Sequence, residues 1–233
     1  MNTNLSSATP SQLETDCLVV VVLDRAETDR AKKNRGEKDK PSPFVESADA
    51  AIGEAAKDVI ASGEVTAKTF ETTLLHSPAG LKAKRLLLLG GGRAKTFSAA
   101  ELRKLAGAAV RTLKAKNIRR FAFVVPESAI PPSDAVRAIV EGAFVGSFDP
   151  DYYKSDRKDQ KIDAITIVAQ GDLNPLESAL QAGRIVAESQ NFTRDLVNEP
   201  SNRMTPTIMA ERAQKMASEV GLICETCFSW LGT

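Results

Sequence analysis

The side chains of this sequence that could do chemistry fall into a few short groups. Gly90-Gly91-Gly92 follows an apolar run and precedes a helical pattern, the place where backbone N–H groups of an α/β protein can cradle a phosphate. Triple glycine is a weak motif on its own, and a tight turn needs glycine for steric reasons alone. Cys224-Glu225-Thr226-Cys227 has the spacing of a redox pair or half a zinc site. A four-ligand zinc site would need two more soft ligands, and the chain adds only Cys17 and His76. The simpler reading packs Cys224 and Cys227 as small apolar residues of a terminal strand. His76 is the sole histidine, so no cluster of imidazoles can form, and adjacent residues such as His76 and Ser77 seldom share catalytic geometry. Asp195, Asn198 and Glu199 beside Arg194 put two carboxylates near a guanidinium, which local pairing and capping at a helix end also explain. Arg111, Lys114, Lys116, Arg119 and Arg120 form a basic run suited to the negative end of a helix or, as an alternative, to a nucleic-acid phosphate.

Positioning any of these takes a framework. The run Cys17-Leu18-Val19-Val20-Val21-Val22-Leu23 shows no alternation, the pattern of a strand buried on both faces by covering helices. Residues 70–75 and 84–89 read as two more strands, with His76-Ser77-Pro78-Ala79-Gly80 as the turn between them. Residues 121–125 and 162–168 complete the strand set. Amphipathic helices separate them: 45–62, stopped by Gly63; one opened by Ser98, with Glu101 completing a capping box; and 133–148, opened by Pro131-Pro132. Strands alternating with helices predict an α/β fold with a mixed or largely parallel sheet and helices on both faces.

The remaining stretches connect or extend that unit. Residues 1–14 are polar and read as a disordered arm. Residues 24–43 interleave acids with cations, which reads as an exposed loop, and 149–161 reads as another. Residues 176–197 carry a helical period; Pro200 then takes Glu199 out of the helical region, and Thr205-Pro206 caps a second helix running to about 220. Leu222 to Glu225 is a short strand candidate.

Composition narrows the classes. With 233 residues and 42% apolar content the chain can bury a substantial core. A formal net charge of +1 gives no global reason to expect nucleic acid. The first apolar run is too short to span a bilayer and has no basic flank before it, so the expected setting is cytoplasmic, with no membrane partner. Three cysteines do not make a secreted disulfide framework.

Two motifs carry a family resemblance. The run Arg194-Asp195-Leu196-Val197-Asn198-Glu199-Pro200-Ser201-Asn202, with Thr205-Pro206 after it, resembles the interdomain junction of the leucine aminopeptidase (cytosol aminopeptidase) family. Glu141-Gly142-Ala143-Phe144, Ser147-Phe148-Asp149 and Tyr153-Lys154-Ser155 resemble a second segment of that family. The resemblance implies a macrodomain-like N-terminal α/β domain at 15–172, a linker helix at 173–199 and a truncated start of the catalytic domain at 200–233. It further implies peptidase chemistry on two divalent metals, zinc or manganese, which release N-terminal amino acids from peptides. The family's Gly-Lys-Gly run and Asn-Thr-Asp-Ala-Glu-Gly-Arg segment, which deliver metal ligands and catalytic groups, do not occur here. No catalytic or metal-binding residue and no cofactor is therefore assigned to this chain, which is expected to be inactive alone, a fragment whose homo-oligomer contacts would run through the missing catalytic domain. The competing readings are a macro-like nucleotide or ADP-ribose module built on Gly90, Gly91 and Gly92, and a DNA-contacting domain built on the basic run.

Overall fold

The computed structural model describes residues 1–25, 41–127, 130–150 and 160–226. These form two compact units, Met1–Glu188 and a smaller one from Ser189 onward. The first is a sheet with helices on both faces. Its strands are β1 (Asn2–Ser6), β2 (Leu18–Asp24), β3 (Pro43–Val45), β4 (Thr72–His76), β5 (Arg85–Arg93), β6 (Arg120–Val124) and β7 (Ala164–Val168). The order is β1-β7-β6-β2-β5-β4, with β3 pairing antiparallel to the end of β2. Neighbours from β1 to β5 run parallel, and β4 runs antiparallel to β5.

The unbroken apolar run of β2 has a direct cause. Val19, Val21 and Leu23 face one core together with Leu87, Leu89, Phe121, Phe123, Ile165 and Ile167. Leu18, Val20 and Val22 face a second core with Leu86, Leu88, Ala122 and Val124. A strand period of two thus delivers consecutive residues to two apolar layers, and neither face tolerates a polar residue. Helix α1 (Ala50–Ala61) covers the second core through Ile52 and Ala56. Helices α2 (Ala99–Ala115), α3 (Pro132–Ser147) and the first part of α4 (Asn174–Asn198) cover the other through Leu102, Leu105, Ile139, Leu176 and Leu180.

The ends of these helices follow local chemistry. The Asp49 carboxylate caps α1 by accepting from the Ala51 amide at 3.1 Å. Ser98 caps α2, its hydroxyl accepting from the Glu101 amide at 3.4 Å. Glu101 does not complete the box; its carboxylate holds Lys104 at 2.9 Å. Pro131-Pro132 opens α3 as the sequence predicts. Helices α2 and α3 cross on small residues, where a Cβ on Gly142 would collide with the Arg103 carbonyl oxygen and would approach Ala106 Cβ to 2.9 Å.

Several expectations need correcting. Residues 1–14 do not form a loose arm: Asn2–Ser6 add a parallel edge strand to β7, from Asn2 opposite Ala164 to Ser6 opposite Val168. Met1 and Leu5 pack on the core, and the Ser11 amide donates to Asp49 Oδ2 at 2.7 Å. An edge strand is held by backbone bonds on one side, so polar Asn2 and Asn4 can face water. The helix expected from residue 45 begins at Ala50, because Pro43–Val45 is taken up by pairing with β2. No strand forms over Leu222 to Glu225, and the described residues of that unit contain no strand for it to pair with. The two units divide inside α4 rather than at residues 172 and 199. Leu176, Leu180 and Ala187 belong to the core of the first unit, and Gly183 lies against the Arg137 carbonyl of α3.

The second unit holds the end of α4, the elbow and α5 (Pro206–Glu219). Thr205 caps α5, its Oγ1 accepting from the Ile208 amide at 3.3 Å, with proline at the first helical position. That part of the sequence reading stands.

Candidate functional site

The glycine triplet sits inside β5, not in a turn after it. The Gly90 amide donates to the Glu71 carbonyl at 2.8 Å, and the Gly92 amide to the Ala67 carbonyl at 2.8 Å. In return the Gly90 carbonyl accepts from the Phe70 amide at 2.9 Å. A strap at residues 66–71 therefore lies directly on the triplet, with Ala67 and Phe70 in the left-handed region at φ 59° and 68°. A Cβ on Gly90 would run into the Lys68 carbonyl, and one on Gly91 would come within 2.6 Å of Leu23 Cδ2 and 2.9 Å of Val21 Cγ1. The glycines are required by this close approach, and the amides of Gly90 and Gly92 are already used. The phosphate cradle, raised from the sequence only as the weaker alternative, is therefore not favoured.

Two clefts open at opposite ends of the parallel strands. The larger, about 590 Å³, lies at their amino ends and is lined by Asn4, Thr166, Asp16, Lys82, Lys84 and Arg120 among others. Asp16 sits between two cations there, with Lys84 Nζ at 2.7 Å and Arg120 Nε at 3.4 Å. Its carboxyl is held below the usual range, first by the hydrogen bond from Lys84, with burial opposing and the two positive charges adding. The smaller, about 380 Å³, lies at the carboxyl ends of β6 and β7 between Asp49, Val124, Glu127, Pro132 and Val168. That end of an open α/β sheet is where ligands commonly bind. Beside it Glu46 is pushed up, mainly by burial and then by the charge of Glu127, with Arg25 pulling it down. Asp49 is committed to the Ser11 and Ala51 amides. Sequence reasoning missed Asp16, Glu46 and Glu127, because single acids in separate loops leave no spacing pattern.

The other candidates resolve into structural roles or remain apart. His76 ends β4 opposite Arg85 and is exposed, and Ser77 after it turns at φ 48°. Cys17 is buried, and burial pushes its thiol up to about 12, so it is protonated and unreactive. Cys224 is partly exposed, whereas Cys227, like Tyr153, Lys154 and Ser155, lies outside the described residues. The basic run is divided: Lys114 donates to the Ser147 carbonyl at 3.2 Å, Arg119 to Asn117 Oδ1 at 3.3 Å, and Arg120 to Asp16. Arg111 and Lys116 are exposed.

At the elbow, Arg194 donates to Asn191 Oδ1 at 3.3 Å, and the Glu199 amide donates to the Asp195 carbonyl at 3.1 Å. The Glu199 side chain reaches forward to Arg212 of α5 at 3.3 Å. Arg203 and Met204 amides close a turn on the Pro200 carbonyl at 2.8 and 3.0 Å. The Glu199 carboxylate is thus committed to an arginine of the next helix. Glu141 is likewise enclosed, by Arg103 at 3.1 Å and Arg137 at 2.8 Å. Among the described residues no three His, Cys, Asp or Glu side chains are grouped to hold a metal ion.

The model of the cytosol aminopeptidase family, N-terminal domain, matches residues 19–157. A probable cytosol aminopeptidase of Koribacter versatilis is 47% identical over 97% of this chain and 45% of its own length. Another from Acidobacterium capsulatum is 43% identical over 97% of this chain and 45% of its own length. The chain thus spans about half the length of these relatives. Among solved structures, a tomato leucine aminopeptidase mutant superposes with a TM-score of 0.71 at 20% identity, covering 95% of this chain and 43% of that one. The bottromycin maturation enzyme BotP gives 0.64 at 23%, covering 91% of this chain and 39% of its own. At these identities the structural likeness shows the fold.

Proposed function

The chain belongs to the cytosol aminopeptidase family, and from that premise we propose that it serves as a non-catalytic N-terminal domain for peptide hydrolysis performed elsewhere in the family's architecture. One observation carries this reading. The family's N-terminal-domain match runs from β2 through α3, and the acids held in that unit, such as Asp16 and Glu141, are closed by lysine or arginine rather than gathered at a reaction centre.

A pair of divalent ions supplies an aminopeptidase with an activated water, a polarised carbonyl and an anchor for the substrate amine. The described residues do not fit such a centre: carboxylates neutralised by Lys84, Arg103, Arg120, Arg137 or Arg212 are not arranged to share a cation. No catalytic step is assigned to this chain. The family activity, metal-dependent release of N-terminal amino acids with zinc or manganese, belongs in this reading to the part of the relatives that the chain does not span. A cytoplasmic setting and homo-oligomer contacts through that part complete the proposal. No helix among the described residues is long and apolar enough to cross a membrane. The nucleotide-binding alternative is not favoured, because amides it needs are committed to the strap at residues 66–71.

The test is hydrolysis of leucine p-nitroanilide with added manganese or zinc. The purified chain is expected to give no turnover above buffer, while the Koribacter relative turns the substrate over. Metal-dependent turnover by the chain alone would overturn the proposal.

A further inference from the structure

The second core, under α1, extends over only part of its face of the sheet. A row across four strands shows where the cover ends: Leu18 of β2 lies opposite Ala122 of β6, Ala122 opposite Thr166 of β7, and Thr166 opposite Asn4 of β1. Leu18 and Ala122 are fully buried, whereas Thr166 is half-buried and Asn4 is exposed. Two residues earlier on the same face, Arg120 lies opposite Ala164 and Ala164 opposite Asn2. The other face of β7 and β1 sends Ile165, Ile167 and Leu5 to the first core. These two strands therefore alternate, and their polar face forms the floor of the cleft of about 590 Å³. Two segments joined through their backbones build its wall. The Lys82 amide donates to the Ser11 carbonyl at 2.9 Å, and the Lys84 amide to the Thr15 carbonyl at 3.1 Å. That pairing brings Glu14, Asp16, Lys82 and Lys84 to the same cleft.

The charges of the cleft are only partly matched. Asp16 is taken by Lys84 Nζ at 2.7 Å and Arg120 Nε at 3.4 Å. The side chains of Lys82, Glu14, Asn4 and Thr166 make no hydrogen bond or ion pair among the described residues, nor do the terminal amino groups of Arg120. The unused groups are thus an ammonium, the outer edge of a guanidinium, a carboxylate, an amide and a hydroxyl. A simple anion would meet Glu14 and Asp16 in this cleft, and a simple cation would meet Lys82, Lys84 and Arg120. A molecule carrying both charges satisfies both sets. We infer that the cleft binds a free α-amino acid as its zwitterion, with the carboxylate on Lys82 and Arg120, the α-ammonium on Glu14, and Asn4 and Thr166 as neutral partners. The paired N–H groups of a guanidinium suit a carboxylate in particular. The choice of an amino acid among zwitterions rests on the function proposed above, because peptide hydrolysis releases one in each turnover. The inference places a site for the reaction's product within the non-catalytic domain.

The experiment titrates the full chain, labelled with nitrogen-15, and follows its amide resonances. L-leucine is expected to shift those of the segments around Glu14, Lys82 and Thr166 and to saturate in the millimolar range. Leucinamide, which lacks the carboxylate, and 4-methylpentanoate, which lacks the ammonium, should each bind at least tenfold more weakly, as should inorganic phosphate. Lys82→Ala and Glu14→Gln should each weaken leucine at least tenfold. Both residues are exposed and unpaired, so both variants should melt within about a degree or two of the parent. Absence of leucine shifts in the cleft, or shifts that both variants leave unchanged, would overturn the inference. Phosphate or 4-methylpentanoate binding as tightly as leucine would make this a plain anion site and overturn it as well. Each of those results leaves the proposed function standing. Metal-dependent turnover by the chain alone would instead remove the proposed function, with leucine binding in the cleft unaffected.

Discussion

Replacing Gly142 by alanine tests whether α2 and α3 meet backbone to backbone. The added methyl would strike the Arg103 carbonyl oxygen and lie 2.9 Å from both Ala106 Cβ and the Arg103 carbonyl carbon. None of these is the free end of a flexible side chain, so relief requires the helices to separate. Overpacking of this kind costs about 3 kcal/mol, and alanine returns about 1 kcal/mol of helix propensity. The net expectation is a loss of about 2 kcal/mol, or roughly 4–8 °C in melting temperature for a domain of this size. Gly53→Ala is the matched control: Gly53 lies in α1 with nothing within 4 Å of its added Cβ. It should gain about 1 kcal/mol from propensity alone. Thermal and urea melts of the three proteins decide the matter. A Gly142→Ala variant melting at or above the parent would refute the close crossing, and loss of stability in both variants would refute the propensity argument.

Other outcomes follow from capping, charge and close approach. Asp49→Ala removes the α1 cap and the acceptor for the Ser11 amide, so urea melts should show a loss of about 2 kcal/mol. Thr205→Ala removes the α5 cap; helicity of the second unit by circular dichroism should fall, with a cost of about 1 kcal/mol. Glu46 is an acid whose folded pKa is raised, so its contribution is fully present below the unfolded value of 4.5 and is lost as pH rises through the folded value. Glu46→Gln should therefore melt higher than the parent at neutral pH, with the gain fading toward about pH 4. Asp16, lowered chiefly by Lys84, has the opposite sign: Asp16→Asn should melt lower at neutral pH, and the gap should close as acid protonates the parent's carboxylate.

The strands and helices were legible wherever burial was complete. The run from Cys17 to Leu23 has no alternation because both faces of β2 are covered, so its sequence contains the three-layer architecture. Edge elements were not legible by the same logic. Asn2–Ser6 joins the sheet through backbone pairing, and backbone pairing leaves no mark on side-chain types. The strand expected at Leu222 to Glu225 shows the reverse error: three apolar residues before a glutamate read as a strand, but a strand exists only where another offers its edge. The elbow was readable in part. Thr205-Pro206 declares a helix start from two adjacent residues, whereas the Glu199 partner, Arg212, lies thirteen residues further on and across a turn.

The glycine triplet shows how one residue pattern leaves two chemical readings open, of which the structure favours the steric one. Three glycines do mark a place where another group approaches the backbone too closely for a Cβ. The sequence alone cannot say whether that group is a phosphate or a peptide. Here it is the segment Ala67 to Glu71, whose carbonyls take the Gly90 and Gly92 amides at 2.8 Å and whose Lys68 oxygen occupies the space beside Gly90. Gly90→Ala must therefore displace the strap from β5 and not merely crowd a loop. It should cost more stability than Gly142→Ala, because the added methyl meets a carbonyl whose neighbours are anchored by hydrogen bonds on both sides. A phosphate-binding glycine would behave differently, losing ligand affinity while the melting temperature held. Melting Gly90→Ala with and without ATP separates the cases: a large drop that ATP leaves unchanged supports the strap, and a stable protein that loses a measurable heat of ATP binding restores the cradle.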